Sequence, residues 1–532
     1  MVSLFLLSSS VKASEVEING IYYNIINERW AEVTFDSNKY IGHIVIPSTI
    51  FYRGKEYPVS CIGSRAFMDC TELISVEIPN SITSIGEAAF FRCFELTSIT
   101  IPNQVKTIGG FAFRGCRNLK NIVVPNGVSS IKTSTFGGCT GLTSLKMPRS
   151  VTTIEDDAFN NCTGLISADI PNSVRSIGEG AFKNCSSLIS VVIPNSVTTI
   201  EDNTFSGCSG LASVGISSNV RSIGEGAFKN CSSLISVVIP NSVTSIGDAA
   251  FYGCTGLTSI SIPQNVRTIG RSSFGSCSNV ASIRVDPQNA VYDSRNNCNA
   301  IIETSKNCMI LGCQNTKFPN SVLSIEERAF DSCTGLTSIY IPRSVTSIGE
   351  SVFCNCSNLA AICVDSQNAV YDSRNDCNAI IETTTNTLVY GCRNTLIPSD
   401  VISIADDAFE GCTGLLSIII PNSVRSIGYS AFSDCTGLTS IFAEGGIPAT
   451  IKGNTFDNVD KKTCLLHVPG GRKEIYEKEE YWNEFENIET PDNKNEISTN
   501  VDKKRGSESQ VFFSSLRSFF SNIINIIKDC LP

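Results

Sequence analysis

The cysteines of this chain recur on a fixed period. Cys70, Cys93, Cys116, Cys139, Cys162, Cys185, Cys208, Cys231, Cys254 and Cys277 follow one another at steps of 23 residues. Cys333 and Cys356 repeat the step, as do Cys412 and Cys435, and the two breaks are each 56 residues, or 23 + 33. Phenylalanines run in register three residues before the cysteines, and leucines such as Leu96, Leu119, Leu142 and Leu165 three after. The unit reads I-G-x-x-A-F-x-x-C-x-x-L-x-S-I-x-I-P-N-S-V-x-x in 14 copies. A sequence that repeats at a fixed step must fold into a structure that repeats in space, a solenoid. One copy alone buries too little apolar surface to offset the entropy of ordering its backbone, so the copies must stack and share one core.

Within the unit, Ile99-Thr100-Ile101 and its equivalents alternate and are β-branched, which predicts a short strand that the following proline ends. The I-G-x-x-A-F stretch predicts a short helical turn. Gly or Asn precedes the cysteine in nine copies, namely Gly115, Gly138, Asn161, Asn184, Gly207, Asn230, Gly253, Asn355 and Gly411. These residue types tolerate the left-handed conformation that ends such a turn.

The spacing A-F-x-x-C-x-x-L-x-x-I-x-I-P resembles the BspA-type leucine-rich repeat, the 23-residue class of treponemal and Bacteroides-group surface proteins, over Ile44 to Ile488. The resemblance implies an α/β repeat solenoid: a right-handed leucine-rich-repeat superhelix with a parallel β-sheet on its concave face and short helical turns or extended segments on its convex face. It also implies export to the cell surface or secretion, no catalysis and no cofactor. Adhesion to a protein or glycan ligand, such as host matrix or cell-surface proteins, is the implied role.

Met1–Ala13 reads as the end of a signal peptide, with an apolar run and Val11-x-Ala13 suited to cleavage. Residues 14–60 are expected to form an N-terminal β cap, because an open solenoid end exposes apolar surface and a sheet edge. Residues 61–450 carry the 14 coils. Two related insertions interrupt them at 286–318 and 365–397: Asn289 to Asn296 recurs as Asn368 to Asn375. Each insertion is expected to project as a β-hairpin, with residues of the first summing to 611 facing each other. That register sets Cys298 opposite Cys313. Cys377 and Cys392 have the same separation, so either pair is placed for a cross-strand disulfide in an oxidising compartment. Residues 451–489 should form a final coil and C-terminal cap, with a closing helix over Lys473–Trp482. Trp30 and Trp482, the only tryptophans, fall in the two caps, where filling the core is their expected work. The segment from Val174 to Thr198 recurs without change as Val220 to Thr244, which marks a chain that tolerates copying of whole units.

Residues 490–510 read as a flexible linker. Residues 511–532 read as an amphipathic helix, with Phe512, Leu516, Phe519, Phe520, Ile523 and Ile527 on one face. Its polar residues make it a poor membrane span. It suits a membrane surface, a partner's groove or docking on the cap.

The net charge of −10 argues against nucleic acid as the partner. Two histidines, His43 and His467, leave little room for a His-based triad or a multi-His metal site. The periodic cysteines lack C-x-x-C pairing and read as buried small hydrophobes donating weakly to the next turn. An acidic residue follows Ile-Gly or its equivalent in nine copies (Glu87, Asp156, Glu179, Asp202, Glu225, Asp248, Glu327, Glu350 and Asp406). It suits the N-terminus of a helical turn better than calcium, since no D-x-D-x-D-G loop accompanies it. No catalytic, cofactor or metal residues emerge from the pattern.

One row changes from copy to copy while its neighbours stay constant: Glu77, Thr100, Val123, Lys146, Asp169, Val192, Gly215, Val238, Ser261, Arg284, Tyr340, Cys363, Ile419 and Phe442. It lies outward on the strand, beside a Ser column (Ser75, Ser98, Ser144, Ser167, Ser190). A varying outward row on a constant frame is how a solenoid builds a recognition face, and drift on a solvated sheet is the competing reading. Tyr340, Ile419 and Phe442 form its most apolar end. Three roles fit: a surface or secreted binding protein, a structural surface-layer scaffold, or a surface hydrolase. The histidine shortage and the absence of G-x-S-x-G weigh against the last.

Overall fold

The computed structural model describes residues 14–490. The leader reading at Met1–Ala13, and the linker and amphipathic helix beyond Thr490, lie outside the described residues. The chain divides into two compact units, Met1–Leu359 and Ala360–Pro532.

The first unit opens with three antiparallel strands, Ser14–Ile18, Ile21–Ile26 and Trp30–Val33. Trp30–Val33 runs parallel to Lys55–Ile62, on which Ser84–Ile85 and then Thr107–Ile108 stack. From there the period becomes register. One parallel ladder joins Asn121–Val123, Ser144–Lys146, Ser167–Asp169, Ser190–Val192 and Ser213–Gly215. A second joins Ser130–Ile131, Thr153–Ile154 and Ser176–Ile177. Alternation decides the faces: Ile122, Leu145 and Val191 are buried, while Val123, Lys146 and Val192 stand in solvent.

The helical turn expected at I-G-x-x-A-F does not form, so the α/β description and the helical convex face do not hold. Among the described residues the one α-helix is Lys473–Tyr476, a remnant of the closing helix expected over Lys473–Trp482. The backbone explains the absence. Each coil carries two residues of positive φ four apart, such as Ala88 and Arg92 (φ 53° and 58°) or Asp157 and Asn161 (φ 55° and 59°). A right-handed helix cannot hold a left-handed residue at every fourth position. The amides alternate instead. Ala89, Phe91 and Cys93 donate within the coil, to the carbonyls of Gly86, Ala88 and Phe90. Ala88, Phe90 and Arg92 donate across it, to Gly110, Ala112 and Arg114 of the next coil. Turn and ladder thus share six successive donors and leave none of them unpaired. The residue expected to be left-handed before the cysteine is so in all nine copies, with φ of 59–79°.

The core is built in columns. The rings from Phe67 to Phe274 stack at centroid separations of 4.9–5.6 Å and interplanar angles of 3–14°. That spacing follows the rise between paired strands and leaves the rings in van der Waals contact. Beside them the cysteines form a column of S–H donors. Cys93 Sγ donates to the carbonyl of Phe67 at 3.0 Å and Cys116 Sγ to that of Phe90 at 3.1 Å. The same bond, spanning 26 residues, recurs at Cys277, Cys356 and Cys435.

The first insertion is built into the stack and does not project. Tyr292–Asp293, Ile301–Glu303 and Cys308–Leu311 form an antiparallel meander, and the last of these pairs in parallel with Ser324–Ile325. Ile301, Ile302 and Met309 are fully buried. Asn289, itself buried, locks the entry: its Nδ2 donates to the carbonyls of Pro263 (2.8 Å) and Val266 (3.0 Å), and its Oδ1 accepts the amides of Val291 and Tyr292 (both 2.9 Å).

In the second unit the related meander of Tyr371–Asp372, Ile380–Glu382 and Thr387–Tyr390 leads into Ser403–Ile404, Ser426–Ile427 and Thr450–Ile451. Ser417–Ile420, Ser440–Ala443, Leu465–His467 and Asn487–Glu489 form a parallel ladder. Trp482 is fully buried beside Tyr476, Phe456 and Phe485, and its Nε1 donates to the carbonyl of Ala449 at 2.8 Å. Trp30, by contrast, is only half-buried.

Candidate binding surface

The strand ladder sets the variable row in register. Val123 lies beside Lys146 and Lys146 beside Asp169; Val192 lies beside Gly215, and Ser261 beside Arg284. Glu77, Thr100, Val123, Lys146, Asp169, Val192, Gly215, Val238, Ser261, Arg284 and Tyr340 are all exposed. Thr100 follows the strand Ser98–Ile99, and Val238 lies in a coil without a regular strand, where the sheet is interrupted. Val192 and Val238 are 70% and 79% exposed, unusual for side chains of this kind.

In the second unit, Cys363, Ile419 and Phe442 are half-buried. Ile419 pairs with Phe442, and Phe442 with His467. The His467 ring stacks on that of Phe442, with centroids 4.4 Å apart and planes 7° apart. Burial holds the His467 pKa below its ordinary value. The freely exposed aromatic end expected from sequence is therefore partly covered.

A further exposed column escaped the sequence reading. Ile166, Ile189 and Ile235 immediately precede the Ser column and are 47%, 54% and 59% exposed. With Val192 and Val238 they place exposed aliphatic side chains on three coils of the first unit, the last separated from the first two by the coil that carries Ala212 and Gly215. The signal was present: most copies place Thr, Ala or Lys where these carry isoleucine.

The other singled-out residues have structural work. Asp156 Oδ1 accepts the amide of Glu179 at 3.0 Å, Asp202 Oδ1 that of Glu225 at 2.7 Å, and Asp248 Oδ1 that of Arg271 at 2.8 Å. These stripe carboxylates tie one coil to the next, and no helix N-terminus is involved. Burial pushes the ladder thiols up, Cys162, Cys208 and Cys254 to about 12. A buried, protonated thiol is a weak nucleophile and a poor metal ligand.

Cys298, Cys313, Cys377 and Cys392 are free thiols. The register summing to 611 holds at Ile302–Met309 and Glu303–Cys308, then slips between Ile302 and Ile301, which pairs with Leu311. Cys298 and Cys313 lie beyond that slip and are not cross-strand partners. Cys313 Sγ donates to the carbonyl of Asn299 at 3.4 Å, and Cys392 Sγ to that of Asn378 at 3.3 Å.

Among the described residues no helix is long and apolar enough to cross a membrane. The profile of the BspA type leucine rich repeat region matches residues 60–189, 176–301, 301–390 and 387–506. No curated protein matches the chain. Among solved structures, a leucine rich cell surface protein from Faecalibacterium prausnitzii A2-165 is 29% identical, with 81% of this chain and 94% of that one covered and a TM-score of 0.40. A leucine-rich repeat protein from Bacteroides ovatus ATCC 8483 is 25% identical, with 82% and 94% covered and a TM-score of 0.46. The T. pallidum leucine rich repeat protein is 28% identical, with 42% and 91% covered and a TM-score of 0.29.

Proposed function

Because the chain belongs to the BspA-type leucine-rich repeat family, we propose that it is a non-catalytic binding scaffold, exported and displayed at the cell surface, whose strand face captures a protein ligand in adhesion. One observation carries this reading: a near-constant frame of buried Phe, Cys and Leu holds out a row that differs at almost every coil and exposes Val123, Val192 and Val238 at 65%, 70% and 79%. Exposed aliphatic side chains suit the desolvated centre of an interface, and the charged Lys146, Asp169 and Arg284, interspersed along the same row, set register and partner choice. The buried thiols and inter-coil carboxylates serve the frame, so chemistry has little to work with.

The test is adhesion of beads coated with the full chain to host epithelial cells and to matrix proteins. Val192→Asp with Val238→Asp should lower capture while leaving the melting temperature unchanged, since both side chains stand in solvent. Equal capture by the double variant would remove the row from the binding role.

A further inference from the structure

Three consecutive coils of the first unit read Phe91-Arg92-Cys93-Phe94, Arg114-Gly115-Cys116-Arg117 and Gly137-Gly138-Cys139-Thr140. At the first two positions of this stretch the side chains are large in one coil and shrink to hydrogen by the third. A column that loses its side chains leaves a depression. Here it is an open pocket of about 410 Å³, lined by Phe91, Phe94, Arg92, Arg114, Arg117, Gly137 and neighbours, within the size range of ligand sites. The strand-face row contributes nothing to it.

The lining carries three arginines and no carboxylate, in a chain of net charge −10. Arg117 lies over the Phe94 ring at 4.6 Å and Arg92 over the same ring at 5.6 Å, while Arg114 lies 5.6 Å from Phe111 and donates to Ser134 Oγ at 3.2 Å. The nearby acids are not part of the lining. Asp69 stands 3.7 Å from Arg92, Glu95 accepts from Asn118 at 3.0 Å, and Asp157 accepts from Asn160 at 2.6 Å. Among the described residues, Arg114 and Arg117 have no carboxylate within 4.0 Å. Stacking on Phe94 holds the Arg117 guanidinium in place, so less freedom is lost when it forks onto an anion.

We propose that this pocket is a second binding site, independent of the strand face, for an acidic oligosaccharide whose carboxylate or sulfate groups pair with Arg114 and Arg117. The backbone favours a sugar over an acidic peptide. An extended peptide would add to free amides and carbonyls, but here they are consumed between coils: the Gly115 amide donates to Gly137 at 2.8 Å and the Gly138 amide to Asn160 at 2.7 Å. What remains is hydroxyl, side-chain amide, aromatic edge and guanidinium, which suits sugar hydroxyls around one anionic group.

Gly137 supplies the control that leaves the fold intact. Its φ is not positive, and an added Cβ would meet nothing closer than 3.5 Å. The same position carries Asn160, Lys183 and Tyr252 in later coils. Gly137→Glu therefore places a carboxylate among the arginines without disturbing the stack. The full chain is titrated by calorimetry with oligogalacturonate, a heparin hexasaccharide, neutral dextran and an oligoglutamate of equal charge. Binding of an acidic sugar is expected, weakened about tenfold or more by Arg117→Ala and by Gly137→Glu, unchanged by Arg221→Ala four coils away, and reduced by salt. Absence of binding to both acidic sugars, or equal binding by all variants, overturns the site. Binding of oligoglutamate as tight as that of either sugar overturns the sugar assignment.

Discussion

Raising the pH from 8 to 10 tests the thiol column directly. Cys162, Cys208 and Cys254 have their pKa pushed by burial from an ordinary 9.0 to about 12. A raised folded-state pKa means that the folded chain keeps a proton the unfolded chain releases. The stabilisation is complete below pH 9 and is lost between pH 9 and 12. At pH 10 an unfolded thiol with a pKa near 9 is about nine-tenths ionised, which favours unfolding by about 1.4 kcal/mol per thiol. The three together contribute about 4 kcal/mol, a large fraction of ordinary folding stability. The assay is urea unfolding followed by circular dichroism, with reductant present, at pH 8 and pH 10. The triple variant Cys162→Ala, Cys208→Ala, Cys254→Ala should be less stable at pH 8, through lost packing and lost S–H donation. Its further loss on going to pH 10 should be smaller than that of the unaltered chain by about 4 kcal/mol. All other titrating groups, Tyr23 and Tyr40 included, are common to both proteins and cancel. An identical alkaline loss in the two proteins would refute the buried, protonated column.

Phe182→Ala should cost about 3–5 kcal/mol by chemical denaturation, and Phe228→Ala the same within error, since both rings are fully buried within identical segments. Asn289→Ala removes four hydrogen bonds and should cost roughly 2–4 kcal/mol, read by the same assay. Deleting one 23-residue unit, 197–219, should leave a cooperative melt, whereas deleting 12 residues breaks the ladder register at that coil and should destabilise the stack strongly. The far-ultraviolet spectrum of the repeat region should lack the α-helical double minimum.

The period was legible because it is chemistry: one Phe, one Cys and one Leu per coil must superimpose for any core to exist. The left-handed sites at Gly115 or Asn161 were legible for the same kind of reason, since few residue types tolerate that conformation. The absence of helix was not. Glu87-Ala88-Ala89-Phe90 has good helix propensity, yet Ala88 is left-handed (φ 53°), because its amide gains more from the Gly110 carbonyl of the next coil than from a helix of one turn. Coil-to-coil bonds leave no mark in local propensity. The same blindness hid the work of Asp156 and Asp202, whose partners lie 23 residues away. It also hid the bulge between Ile301 and Ile302, which displaced the expected Cys298–Cys313 register. The arginine pocket was hidden differently: Arg92, Arg114 and Arg117 are unremarkable until two glycines in the next copy are stacked beside them.

The alternation of amides between turn and ladder also fixes how such a stack answers force. The bonds that join coils point along the stacking direction, so a pull in that direction loads the interfaces in series and each feels the full tension. The weakest parts first while its neighbours keep their own turns. Each coil that opens releases 23 residues, about 80 Å of chain at full extension, in place of a rise of about 4.8 Å. A stack built this way lengthens in steps under load and does not part all at once, and it recovers as each coil finds an intact template above or below it.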